Sequence, residues 1–187
     1  PSPPSTHRDS VVRYPALAYH RSTEMAYIPT PLVETSEIAK QLNVGRVWVK
    51  DEGSRFMGSF KSLGTSWAVH SLKERGTLTR GASLVCASDG NHGLSLAAVA
   101  RREGYPLSIV LPSIVPPNTA TMMSREGAMV YQPDNISYEE AVLLSAHLAK
   151  ERSMVRVSDQ SSEDYTEIPN IITEGYLTLF AEVDEAL

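Results

Sequence analysis

Cysteine is nearly absent. Cys86, inside the apolar run SLVCAS, is the only one in 187 residues. A single thiol excludes an internal disulfide and a cysteine-based zinc site, and it fits a reducing compartment. Long apolar runs are missing too: none approaches the roughly 18 residues of a membrane span, and no signal-peptide pattern opens the chain. Positive charge is in deficit, with 17 Lys and Arg against 22 Asp and Glu and a net charge of −5. There is no basic footprint for nucleic acid and no polybasic patch for a membrane surface. His7, His20, His70, His92 and His147 are scattered, without HExxH or paired-carboxylate spacing for a metal. GxSxG, GxGxxG and the nucleotide P-loop are also lacking, which removes the serine-hydrolase elbow and the dinucleotide fingerprint. The expectation that remains is a soluble, cytoplasmic protein with a small-molecule substrate. Its 42% apolar and 21% charged residues are ordinary for a globular domain.

What the chain does have is alternation. Residues 1–30 are punctuated by Pro and Ser and read as an extended arm. SEIAKQLNV is a short helix stopped at Gly45. RVWVK, ASLVCAS, PLSIVL, AMVYQ and SMVRVS are strand-like runs, and helical periodicity separates each from the next. Short, near-continuous apolar strands alternating with helices predict an α/β fold. Its open, mainly parallel sheet would be flanked by helices on both faces. The last helix, NIITEGYLTLFAEVDEAL, carries an apolar stripe of Ile172, Tyr176, Leu179, Phe180, Val183 and Leu187. That stripe either packs back on its own domain, or meets a second chain, or belongs against a further domain.

Three places past strand ends can carry chemistry, where open parallel sheets bind ligands. In GSFKSLG, Ser59 reads as an N-cap, so Lys61 falls in the first helical turn beside Phe60. The helix dipole disfavours a cation there. Lys61 is therefore either a solvated lysine with an apolar stem or an amine wanted neutral and nucleophilic. In SDGNHG, residues 88–93, Gly90 and Gly93 let the backbone approach a ligand, and the amides of the following helix form an anion site. Ser88, Asn91 and His92 add polar groups, with Asp89 as a turn acid or an N-cap. Asp159 follows the last strand and reads as a proton acceptor or donor, or as a turn-capping carboxylate.

PTPLVE, VKDEGSRFMGSFKSLG, SDGNHG and DQSSEDYTEIPNIITEGYLTL, in this order, resemble the fold-type II pyridoxal-phosphate enzymes (tryptophan synthase beta-like). Within them the diaminopropionate ammonia-lyase subgroup is the most similar. The resemblance runs from about Tyr19 to Leu187. It implies that Lys61, of the Phe60–Lys61 pair, joins the aldehyde of pyridoxal phosphate. It implies that Asn91 hydrogen-bonds the ring hydroxyl oxygen, and that the turn Ser88, Gly90, Asn91, His92 and Gly93 receives the substrate carboxylate. Asp89 and Asp159 match the two bases for the enantiomers of 2,3-diaminopropionate. The implied reaction is α-proton abstraction and loss of ammonia, leaving pyruvate and a second ammonia after hydrolysis.

The family also carries a glycine-rich phosphate loop beyond this point, whereas Gly175 is the only glycine after Asp159 here. The leading expectation is accordingly a truncated homologue. It would use Lys61 with Asp89 or Asp159 for lyase-type chemistry on an amine or carbonyl compound, without conventional pyridoxal-phosphate binding. The alternatives are a fragment of a conventional diaminopropionate ammonia-lyase and a non-catalytic subunit that binds a protein partner. The expected organisation is an arm over 1–30, a lysine-bearing domain over 31–157, and a loop with an apolar helix over 158–187. That last helix would begin a second domain or form a homodimer interface.

Overall fold

The computed structural model describes residues 14–23 and 27–187. Its first element corrects the extended arm. Pro15–Ser22 is a helix, α1, whose proline stands in the first turn and whose Ala16, Leu17 and His20 are buried. Proline punctuation hid this helix, although a proline with its fixed φ suits that first turn. The remainder of the expected arm, 1–13 and 24–26, lies outside the described residues.

A second correction concerns RVWVK. Leu32–Glu34 (β1) and Trp48–Lys50 (β2) pair antiparallel as a small two-stranded sheet, with the helix Ser36–Leu42 (α2) between them. A strand of three residues, Trp48, Val49 and Lys50, has the same pattern in either kind of sheet, so its alternation could not assign the partner. Asn43, in the left-handed conformation at φ 51°, ends α2 two residues before the expected Gly45.

The parallel sheet itself is as expected. Its strands are Leu84–Ala87 (β3), Leu107–Val110 (β4), Met129–Tyr131 (β5) and Val155–Arg156 (β6), in the order β5-β4-β3-β6 and parallel throughout. Lys61–Glu74 (α3) precedes β3, Asn91–Glu103 (α4) follows it, Pro117–Arg125 (α5) follows β4, and Tyr138–Glu151 (α6) follows β5. Successive side chains of a strand point to opposite faces, and both faces are buried. Leu84, Cys86 and Ile109 enter the larger core with α3, α4 and the last helix, Glu167–Ala186 (α7). Val85, Ala87 and Val110 meet Ala141 and Leu148 of α6 on the other face. Each large apolar side chain so enclosed contributes roughly 1.5–3 kcal/mol.

Helix α7 packs against α3 at very short range. A Cβ added to Gly175 would stand 2.6 Å from the Leu63 carbonyl oxygen and 2.8 Å from the Gly64 Cα, so only glycine admits this crossing. Of the predicted stripe, Ile172 is wholly buried there, while Phe180 and Leu187 remain exposed.

The strand order places the site. After β3 the chain moves outward through β4 to β5, then returns to add β6 on the other side of β3. The loops that leave β3 and β6 therefore diverge from neighbouring strands, which is where an open parallel sheet binds its ligand.

Candidate active site

Lys61 arrives from the two-stranded sheet rather than from a parallel strand. Two 3₁₀ turns, Glu52–Ser54 and Phe56–Gly58, reverse the chain, with Met57 at φ 61° and Gly58 at φ 72° both left-handed. Ser59 is extended and its hydroxyl accepts the Lys61 backbone N–H at 3.3 Å, while the N-cap position itself falls on Phe60, one residue after the expected Ser59. The Lys61 side chain is 26% exposed, and its Nζ donates to Asp159 Oδ2 at 2.6 Å. Nζ also stands 5.2 Å from the centre of the Phe60 ring and 5.4 Å from that of Tyr176, two rings packed edge to face. These rings hold the amine where it can reach one carboxylate.

The 88–93 turn is organised by Ser88, not by Asp89. The Ser88 hydroxyl accepts the N–H of Gly90 at 3.2 Å and of Gly93 at 2.8 Å. A Cβ on Gly93 would lie 2.8 Å from that of Ser88, so the close approach requires glycine. The first-turn N–H groups of Asn91 and His92 have no intrahelical acceptor and face outward as anion donors. Asp89 and Asn91 are exposed at this mouth. His92 is not at the surface: it is 5% exposed, with Nε2 donating to the Val157 carbonyl at 2.9 Å.

Asp159 is set by the loop after β6. The Tyr165 hydroxyl donates to the Arg156 carbonyl at 2.7 Å and accepts the Ser158 N–H at 3.0 Å, which fixes the strand end. Burial alone would raise the Asp159 carboxyl. The His92 ring, once protonated, and the Lys61 ammonium outweigh it and hold the carboxyl below its usual range. Burial holds the His92 ring below its ordinary value, with Asp159 pulling the other way.

Lys61, Ser88, Asp89, Asn91, His92 and Asp159 thus line one cleft of about 460 Å³. Phe60, Gly90 and Gly93 are not among its lining residues; Phe60 stands beside the Lys61 amine, and the two glycines belong to the turn that Ser88 holds. The sequence reading missed two other lining residues, Tyr138 and Gln160. A capping box, Ser137 with Glu140, fixes the start of α6 and so places Tyr138. Burial, then the charges of Asp159 and Asp89, push its phenol up to about 12. The only signal for Tyr138 was its place at the start of a helix, which does not mark a ligand. A second hollow of about 160 Å³ lies beside His20, Tyr27 and Arg55. There His20 and Arg55 are already hydrogen-bonded to Thr178 and Glu182. Among the described residues no group of three or more side chains could hold a metal ion, and no helix is long and apolar enough to cross a membrane.

An amine paired with a carboxylate at the switch point of a parallel sheet agrees with the motif resemblance, and comparison with known proteins decides the family. The model of the pyridoxal-phosphate dependent enzymes matches residues 23–187. The chain belongs to that family. It is 30% identical to the diaminopropionate ammonia-lyase of Salmonella typhimurium over 196 residues, covering 94% of this chain and 48% of that protein. It is also 30% identical to a serine dehydratase-like protein of Mus musculus, covering 92% of this chain and 48% of that one. The crystal structure of Escherichia coli diaminopropionate ammonia lyase in its apo form superposes with a TM-score of 0.86. There the identity is 29%, and 99% of this chain and 52% of that chain are covered. The chain spans about half the length of the curated relatives it matches.

The residues present fit the reactive end of pyridoxal phosphate. Lys61 offers the amine, Asn91 an amide at the cleft mouth, and the first turn of α4 its N–H groups. Gly175, the only glycine after Asp159, is spent on the crossing of α3 and α7 and lends nothing to a phosphate nest.

Proposed function

We propose that this chain carries the lysine-bearing part of a pyridoxal-phosphate-dependent ammonia-lyase site that acts on 2,3-diaminopropionate or a close β-amino analogue. The observation that carries this reading is the 2.6 Å pair of Lys61 Nζ and Asp159 Oδ2 inside the cleft. Bound there, the cofactor supplies an electron sink for the bond broken at Cα. The roles below are those of this chain's own groups.

The α4 N–H groups and the Asn91 amide receive the substrate carboxylate, which fixes the amino acid against the cleft wall. Lys61 offers the amine that holds the cofactor. Asp159, kept ionised by its neighbours, takes or returns a proton at the carbon beside the carboxylate. Asp89, exposed at the mouth, serves the other enantiomer. The β-nitrogen leaves as ammonia once it is protonated, and the Lys61–Asp159 pair is the donor within reach of that centre. Tyr138, kept protonated by its surroundings, is a neutral hydrogen-bond donor in the same wall.

The test is ammonia and pyruvate release from the D and L substrates, with pyridoxal phosphate added, in wild type, Lys61→Met, Asp89→Asn and Asp159→Asn. The reading expects release to vanish in Lys61→Met, and each Asn variant to lose one enantiomer far more than the other. Equal release by wild type and Lys61→Met would contradict it. Release without added cofactor would favour lyase chemistry by Lys61 and the carboxylates alone.

A further inference from the structure

Val157 settles which nitrogen of His92 carries hydrogen. A carbonyl only accepts, and that of Val157 lies 2.9 Å from Nε2, so Nε2 is the N–H. In the neutral ring Nδ1 is then a bare lone pair. It is buried, has no hydrogen-bond partner among the described residues, and lies 3.6 Å from Asp159 Oδ2. The same Oδ2 accepts Lys61 Nζ at 2.6 Å. One carboxylate oxygen therefore stands between an ammonium and an unprotonated imidazole nitrogen.

An ammonium is not a nucleophile, so Lys61 has to lose a proton before it reacts. If that proton went to water, Asp159, whose side chain is only 18% exposed, would be left without a cation. Stranding a mostly buried charge in this way is costly. We propose that His92 is the acceptor of the Lys61 proton, with Asp159 as the bridge. An Nζ–H bond breaks as Oδ2–H forms; that bond breaks in turn as Nδ1–H forms. The electron pair stays on Nζ, the carboxylate ends as it began, and the charge of the cleft is unchanged. Oδ2 has to approach Nδ1 by roughly half an ångström to reach hydrogen-bond distance, and it is released to do so as Lys61 loses its charge.

The groups that bear on the ring come from several elements. Asp159 follows β6 and favours its protonation, while Lys61 on α3 opposes it for as long as it is charged. Asp89 and Tyr138 share the cleft. Cys86 on β3 is a buried thiol held protonated, mainly by burial, with the Asp159 charge adding to it. His92 is thus neutral opposite an ammonium and becomes the cation only when Lys61 gives that role up. It acts through Asp159 and is a positioning residue for the reaction.

This rests on Lys61 being the reacting amine, yet its test needs neither cofactor nor substrate. Nitrogen NMR of labelled histidine follows His92 through a pH titration of the full chain in wild type, Lys61→Met and Lys61→Met/Asp159→Asn. Wild type should show the Nε2–H tautomer. In Lys61→Met, which mimics the lysine after its charge is lost, the His92 midpoint should rise by roughly one pH unit or more. In the double variant it should fall back. An unchanged midpoint in Lys61→Met, a rise that persists without Asp159, or an Nδ1–H tautomer in wild type would each overturn the relay. Lys61→Gln replaces Lys61→Met should the latter fail to fold. A rise at His92 together with ammonia release that ignores Lys61 would sink the proposed function and the relay's role in it, and leave only the coupling of His92 to Lys61 through Asp159 standing.

Discussion

Glu182 and Asp159 are both acids withdrawn from water beside cations, and they are put to opposite uses. Glu182 on α7 is saturated. Lys50 Nζ lies 2.5 Å away, Arg55 donates at 2.8 and 2.9 Å, the Thr30 N–H at 3.2 Å, and the Tyr27 hydroxyl adds a further bond. These partners come from the segment that leads to Lys61, so the cluster clamps that segment to α7. Asp159 has one ammonium, one bare imidazole nitrogen and an open cleft beside it. A buried carboxylate whose lone pairs are all taken holds a fold in register. One whose proton has two nearby places to go can take part in a reaction.

Glu182→Ala should give the largest effect, because it leaves Lys50 without its anion and Arg55 with Glu52 alone. Truncating one partner of a buried pair costs about 3–5 kcal/mol, read as a large fall in the urea midpoint; a change under about 1 kcal/mol would erase the contrast with Asp159. Next comes Gly175→Ala, whose methyl would meet the Leu63 carbonyl oxygen at 2.6 Å. Overpacking there should cost about 1–3 kcal/mol by the same measurement.

Acid should act on the structural region through His20. Its ring is buried, bonded to Thr178 Oγ1 at 2.8 Å, and burial lowers its pKa to about 4. Between the ordinary histidine value and that one, the unfolded chain binds the proton and the folded chain does not, so stability falls as pH falls. The loss from pH 7 to pH 5 should be about 2 kcal/mol from this group, and His20→Gln should flatten that slope in paired urea titrations. Glu182 works in the same direction at lower pH. Burial alone would raise its carboxyl, but Arg55, Lys50 and Tyr27 hold it low. Its contribution is present above the unfolded carboxylate value and is lost as pH falls through the lower folded one. The smallest stability effect should be that of Lys61→Met. Protonation of His92 then supplies Asp159 with a cation, and the lost side chain is 26% exposed, so the urea midpoint should change by less than about 1 kcal/mol, while covalent capture of the cofactor is abolished.

The sheet was legible because both of its faces are buried, which writes near-continuous apolar runs such as LVCA into the chain. The three candidate groups of the cleft were legible because each follows a strand, although the strand before Lys61 belongs to the two-stranded sheet. Other features were not, for local reasons. Ser88 and Asp89 are both good turn acceptors, and only the geometry shows that the hydroxyl takes the two amides. Glu182 reads as one more acid on an amphipathic helix, since its cations lie more than 120 residues away in sequence. His92 read as one more polar group of the turn, and its burial shows only once Val157 and Asp159, more than 60 residues on in sequence, are brought against it.

Reductive labelling tests the role of Lys61 most directly. The chain has five lysines, and Lys40 and Lys73, 73% and 51% exposed, are far more open than Lys61. After incubation with pyridoxal phosphate and borohydride, peptide mass mapping should place the adduct on Lys61 ahead of those two. Labelling that follows exposure, with Lys61 no more reactive than Lys40, would contradict its assignment as the cofactor lysine.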